Sequence, residues 1–226
     1  MKYKTLLMDV DGTLLNFDAS AARSLEILFN ERNYPFDDSV FPLYERINSG
    51  LWERYEKGEI SRDRVLVDRF TLMFEELGIA EKGETFESDF RVQLEKNPVW
   101  MEGAEQLLQY LKPKYDLYIV TNGVASTQRK RLAATGLDAY VRDVFISEVI
   151  GAQKPMKAFF DYCFAHITPC LPSEILLIGD SLTADILGAN QAGIDSCWFN
   201  PSGKPNNTPA RPDMEITRLD QLYDIL

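Results

Sequence analysis

From residue 102 onward the chain alternates short apolar runs with helical segments, and that alternation leaves few ways to fold. Tyr115-Asp116-Leu117-Tyr118-Ile119-Val120, Val144-Phe145-Ile146, Glu174-Ile175-Leu176-Leu177-Ile178 and Ser196-Cys197-Trp198-Phe199 read as strands. Helices are expected between and after them, over residues 102–112, 124–135, 155–166, 182–192 and 217–226. A first strand over about residues 4–10 contains Thr5-Leu6-Leu7-Met8, with the length and residue types of a strand buried on both faces. Strands alternating with helices imply right-handed crossovers and a parallel sheet covered on both sides. At 226 residues the chain accommodates one such α/β core plus an insertion.

The insertion follows the first strand and reads as helical almost throughout. Ala21, Leu25, Leu28 and Phe29 fall on one helical face, as do Leu66, Phe70, Met73 and Leu77. Ser61 followed by Asp63 marks a helix start and Gly78 a stop, while Gly50, Gly58 and Gly83 punctuate the remainder. Asn97-Pro98 closes the segment, and the Pro/Asn/Gly-rich stretch 201–212 reads as a surface loop. The expected organisation is a Rossmann-like parallel sheet core with helices on both faces, residues 1–15 and 98–226, interrupted by an α-helical cap, residues 16–97.

A net charge of −11 argues against a nucleic-acid polymer as partner, because no basic stripe exists to neutralise a phosphate backbone. It leaves small anionic substrates open, since these respond to the local field and to a bound metal. Cys163, Cys170 and Cys197 lack metal-type spacing and read as reduced thiols, and the single histidine, His166, has no triad partners in view. The early apolar run is short and broken by Asp9, and no segment has the apolar length of a membrane span. A cytoplasmic location without membrane partners is the default expectation.

The chemistry-bearing residues cluster where strands end. Asp9-Val10-Asp11-Gly12-Thr13-Leu14 leaves the first strand with two carboxylates spaced i, i+2 and a glycine at the turn. Taken alone, this is either a solvated acidic turn or a site whose desolvation something positive offsets. Thr121-Asn122-Gly123 follows the next core strand, where a hydroxyl and main-chain N–H groups at a strand-to-helix turn can bind phosphate oxygens; a turn with a helix cap is the plainer alternative. Lys154 precedes Pro155, which is placed to initiate a helix. In Gly179-Asp180-Ser181-Leu182-Thr183-Ala184-Asp185, Asp180 emerges from a strongly apolar strand and Asp185 lies in the first turns of a helix, where acids are also favoured by the helix dipole. An open parallel sheet brings such strand ends together on its ligand-binding edge. Four carboxylates converging there repel one another, and a divalent cation with one lysine is the natural compensation. An all-oxygen donor set favours Mg²⁺.

These four pieces, in this order, resemble the four motifs of the haloacid dehalogenase superfamily, and the likeness spans essentially the whole chain, including an insertion placed like a helical cap. The resemblance implies a phosphatase mechanism. Asp9 would be the nucleophile that forms an aspartyl-phosphate, and Asp11 the general acid/base, its main-chain carbonyl also meeting the metal. Asp180 and Asp9 would ligate Mg²⁺, with Asp185 completing the shell directly or through water. Thr121, the main chain at Asn122, and Lys154 would bind phosphoryl oxygens. The dehalogenase branch carries Tyr where Asp11 stands, so Asp11 argues against dehalogenation. A phosphomutase would share these motifs; a non-catalytic phosphate-binding module would have lost at least one of them.

Within the superfamily, Leu51-Trp52 with Gly58-Glu59-Ile60, Ile146-Ser147-Glu148 with Lys154-Pro155, and Asp185-Ile186-Leu187-Gly188-Ala189 through Cys197-Trp198 resemble the pyrimidine 5′-nucleotidases that accept noncanonical nucleotides. The substrate implied is a small phosphorylated metabolite of the nucleoside monophosphate type, with a sugar phosphate or phosphoglycolate as the alternative. Trp52 and Tyr55 are candidates for stacking a base, although cap aromatics also pack a cap's own core. A monomer or homodimer is expected.

Overall fold

The computed structural model describes residues 2–226. The chain divides into two compact units, one made of the residues up to Asn16 together with Val99–Leu226, the other Phe17–Pro98. In the first unit the strands are β1 (Thr5–Met8), β2 (Asp116–Thr121), β3 (Asp143–Ile146), β4 (Ile175–Gly179), β5 (Asp195–Phe199) and β6 (Met214–Ile216). The helices run in chain order through both units. They are α1 (Phe17–Glu31), α2 (Val40–Glu56), α3 (Arg62–Leu77), α4 (Gly83–Lys96), α5 (Ala104–Leu111), α6 (Ala125–Thr135), α7 (Ser147–Ile150), α8 (Lys157–His166), α9 (Leu187–Ala192) and α10 (Leu222–Ile225).

The six strands form one parallel sheet in the order β3-β2-β1-β4-β5-β6. Period-two alternation assigns its two faces. Leu6 lies level with Leu117 on one side and Leu176 on the other. These residues, with Met8, Ile119 and Ile178, pack against Leu107, Leu108 and Leu111 of α5. On the opposite face Leu7, Tyr118, Val120 and Leu177 pack against Phe159, Phe160 and Cys163 of α8. Both faces are therefore dry, which is why these strands read as continuous apolar runs. The strand order reverses between β1 and β4, and that switch point is where open α/β sheets place their ligands.

Several local expectations are corrected. The short edge strand β6 escaped the sequence reading, and the tail expected to be one helix over 217–226 contains a 3₁₀ turn, Leu219–Gln221, before α10. Pro155 does not open α8: the helix begins at Lys157, with Met156 at its N-cap. The stretch expected as a helix over 182–192 opens with a π-helical turn, Leu182–Ile186, before α9. Gly50 lies inside α2 and interrupts nothing. Cys163 and Cys197 are buried thiols whose burial pushes them up to about 12, so they stay protonated and inert. His166 ends α8 exposed, stacked on Tyr162. Among the described residues, no helix is long and apolar enough to cross a membrane.

The second unit, α1 to α4, buries its own core. Ser61 caps α3 by accepting from the Arg64 N–H, and Gly78 ends that helix in the left-handed conformation. The buried face of α3 is Val65, Arg69, Phe70, Met73 and Phe74, rotated from the expected stripe, with Leu66 and Leu77 only partly buried. The rotation follows from a charge. Arg69 is buried between the rings of Phe70 and Phe90, and its guanidinium bonds Glu87 Oε2 at 2.7 and 2.9 Å, Tyr44 Oη at 3.1 Å and Asn48 Oδ1 at 3.0 Å. Burial pushes the Glu87 carboxyl up, and Arg69 opposes that rise. Removing one partner strands the other in a dry core, so Arg69→Met is expected to destabilise this unit by about 3–5 kcal/mol. Urea unfolding should show most of that loss recovered in Arg69→Met combined with Glu87→Leu. A double variant as unstable as the single one would refute the pairing.

Candidate active site

β1 delivers Asp9 at its carboxyl end, where the Asp9 N–H still donates to Ile178 O at 2.9 Å and so ties the residue to β4. The chain then turns, with Val10 O accepting from Leu14 and Leu15 at 2.9 and 2.8 Å. Gly12 sits in this turn at φ +86°, and a Cβ there would lie 2.4 Å from Asp180 Oδ2. Only glycine permits both the turn and the close approach of that carboxylate. Asp180, at the end of β4, also receives Thr13 Oγ1 at 3.4 Å, and its carbonyl accepts from Trp198 Nε1 at 2.9 Å.

Lys154 is the centre of charge. It is 2% exposed, and its ammonium donates to Asp9 Oδ1 at 2.7 Å, Asp185 Oδ1 at 2.6 Å and Val120 O at 2.9 Å. Three protons meet three acceptors, so the group is saturated. Burial opposes its charge, but Asp185 and Asp9 outweigh that and hold Lys154 protonated, well above the ordinary lysine range. Burial pushes Asp9 up to about 7, with Lys154 pulling it down and Asp185 and Asp11 pushing it further up. Lys154 is thus shared between Asp9 and Asp185, with the Asp180 carboxylate beside them. The other oxygen of Asp185 accepts from the Ser181 N–H at 3.1 Å.

Carboxylate oxygens of Asp9, Asp180 and Asp185 lie within 4.8 Å of one another. A hard divalent cation suits such an all-oxygen, electron-rich set, and the residues present fit Mg²⁺.

The residues expected to bind phosphate, Thr121 and Asn122, stand at the end of β2 and just after it. Thr121 is 1% exposed, and its hydroxyl oxygen accepts from Gly123 N at 3.1 Å and Gln128 Nε2 at 2.8 Å, which leaves its O–H as a donor. The Asn122 side chain is spent on the main chain of Lys154, donating to its O at 3.0 Å and accepting from its N at 2.9 Å. The first N–H of α6, at Ala125, is already taken by Glu148 Oε2 at 2.7 Å, so that helix start is partly neutralised.

Asp9, Lys154, Asp180 and Asp185 thus converge through side chains, while Asp11 bonds to α6 instead, through Gln128 and Arg131. Those two residues were missed from sequence, although a Gln and an Arg three apart directly after a Thr-Asn-Gly turn share a helix face. The remaining two candidates, Trp52 and Tyr55, lie in the helical unit: Tyr55 is in its buried core, and Trp52 packs edge-on against it, half-buried.

Residues 3–193 match the haloacid dehalogenase-like hydrolases, and the chain belongs to that family. Over its whole length it is 44% identical to the HAD-hydrolase YfnB of Bacillus subtilis, spanning 96% of that protein. It is 37% identical over its whole length to the pyrimidine 5′-nucleotidase PynA of Streptococcus pneumoniae, of which it spans 96%, and 30% identical to the pyrimidine 5′-nucleotidase YjjG of Escherichia coli, of which it spans 99%. The crystal structure of YfnB bound to magnesium is similar at a TM-score of 0.95, covering 100% of this chain and 99% of that one.

Proposed function

We propose that this hydrolase is a Mg²⁺-dependent phosphatase that acts through an aspartyl-phosphate, with nucleoside 5′-monophosphates as its preferred substrates. The observation that carries the chemistry is the buried Lys154 ammonium, shared between Asp9 and Asp185 beside a third carboxylate, Asp180. It fixes the Asp9 carboxylate through one oxygen and provides permanent positive charge where phosphoryl oxygens would arrive. Similarity to PynA and YjjG supports the choice of nucleotide.

In this reading an Asp9 carboxylate oxygen attacks phosphorus in line, and the bond to the ester oxygen breaks as Asp11 gives that oxygen its proton. A water then attacks the same phosphorus, Asp11 takes the water's proton, and inorganic phosphate leaves with Asp9 restored. The Thr121 hydroxyl and the main chain at Asn122 bind phosphoryl oxygens, while the Lys154 ammonium, its three protons given to Asp9, Asp185 and Val120 O, acts on them through its charge. Mg²⁺ held by Asp9, Asp180 and the Asp11 carbonyl, with Asp185 completing the shell, would neutralise charge on the transferring group.

Phosphate release should be measured with Mg²⁺ against nucleoside monophosphates, sugar phosphates and phosphoglycolate. Nucleotides are expected to rank first, and excess chelator is expected to silence hydrolysis until Mg²⁺ is restored. A hexose phosphate or phosphoglycolate outranking every nucleotide would overturn the substrate class, and full activity in chelator would overturn the metal. A role for Trp52 in choosing among esters is read in the same screen, as a changed ranking in Trp52→Ala; Tyr55, buried in the core of the helical unit, packs that core instead.

A further inference from the structure

α6 buries two polar side chains that a helix usually turns to solvent. Gln128 and Arg131 are each 1% exposed. Arg131 Nη1 donates to Asp11 Oδ1 at 2.6 Å and to Gln128 Oε1 at 3.0 Å. Gln128 Nε2 donates to Asp11 Oδ2 at 2.7 Å and to Thr121 Oγ1 at 2.8 Å. Each nitrogen carries two protons, and each proton has its own acceptor. The amide can face only this way, because its reversal would set Oε1 against the Asp11 carboxylate and the NH₂ against the guanidinium. The side chain is also wedged beneath the preceding turn: a Cβ on Gly123 would lie 2.5 Å from Gln128 Nε2.

Burying a guanidinium costs several kcal/mol unless a carboxylate meets it. Here the carboxylate is Asp11, whose own side chain is 29% exposed. A core group is thus committed to fixing a residue at the edge of the site. We propose that Gln128 and Arg131 are positioning residues for catalysis, holding Asp11 by both carboxylate oxygens and registering it, through one shared amide, against the Thr121 hydroxyl. Each oxygen of Asp11 has a second lone-pair site, so the grip leaves room to hold or take a proton. With Thr121 on the phosphoryl group and Asp11 on the leaving oxygen, one amide sets the spacing between the two ends of the bond being broken. Proton transfer tolerates little misplacement, so this spacing is where rate would be lost.

The inference rests on the proposed role of Asp11 and is tested by leaving-group dependence. A nitrophenol leaves without help, whereas an alkanol needs the proton that Asp11 supplies. Measured as kcat/KM, Gln128→Leu and Arg131→Met are each expected to lose about 100-fold on an alkyl phosphate and less than about 5-fold on nitrophenyl phosphate. Arg131→Lys, which keeps the charge, is expected to recover part of the alkyl rate. An equal loss on both esters, or none on either, would overturn the positioning role. Should Arg131→Met fail to fold, Gln128→Leu leaves Arg131 its bond to Asp11 and gives the same readout. Wild-type protein inert toward both esters would overturn the phosphatase reading itself, and this inference with it.

Discussion

Replacing Asp9 with asparagine is expected to reduce turnover by on the order of 10⁴-fold or more while leaving the fold intact. The amide is nearly isosteric but lacks the carboxylate oxygen that, in the proposed mechanism, attacks phosphorus. Stability should hold for a reason visible in the site: burial already works against the negative charge of Asp9. A neutral amide removes that cost, and Lys154 keeps its bonds to Asp185 and Val120. Two measurements decide the matter. Thermal unfolding should shift by only a few degrees, and acid-quenched mass spectrometry should find the phosphorylated Asp9 peptide in wild type and not in the variant. Wild-type turnover in Asp9→Asn would remove Asp9 from the nucleophile's role.

Lys154→Met should damage both stability and rate. It leaves Asp9 and Asp185 buried without their shared cation, and breaking a buried charge pair from one side costs about 3–5 kcal/mol. In the proposed mechanism the rate should fall by roughly 10³-fold, since the positive charge placed to act on the phosphoryl oxygens is lost as well. The same electrostatics predicts a partial remedy: added Mg²⁺ should raise the melting temperature of the variant more than that of wild type, because the cation then meets carboxylates that nothing else neutralises. An unchanged metal-free stability would contradict the buried pairing, and an unchanged rate would return Lys154 to a structural role.

What could be read from the chain, and what could not, divides along physical lines. The apolar runs of β1, β2 and β4 were legible because a strand buried on both faces must be apolar along its length, and Asp9 and Asp180 stood out as charges directly against such runs. Strand β6 was not legible: three residues at a sheet edge carry too little periodicity to register. Arg69 misled the reading of α3, because hydrophobic periodicity assigns a charge to the outside. What buries it is Glu87, on a different helix. Gln128 and Arg131 passed unnoticed for the same reason, their acceptor lying 117 and 120 residues away at Asp11.

By itself the sequence determined the parallel α/β architecture, the helical insertion after the first strand, the strand ends at which acids and a threonine are presented, and the lysine ahead of a later helix. Those follow from local rules, the burial period of strands and helices and the turn chemistry between them. Only the tertiary structure decided how charge is distributed among those residues: that Lys154 is saturated by Asp9, Asp185 and a carbonyl, that Asn122 serves the Lys154 main chain, and that Asp11 is gripped by α6. A buried charge takes the partners that the fold brings within hydrogen-bonding distance, and sequence spacing does not encode that distance.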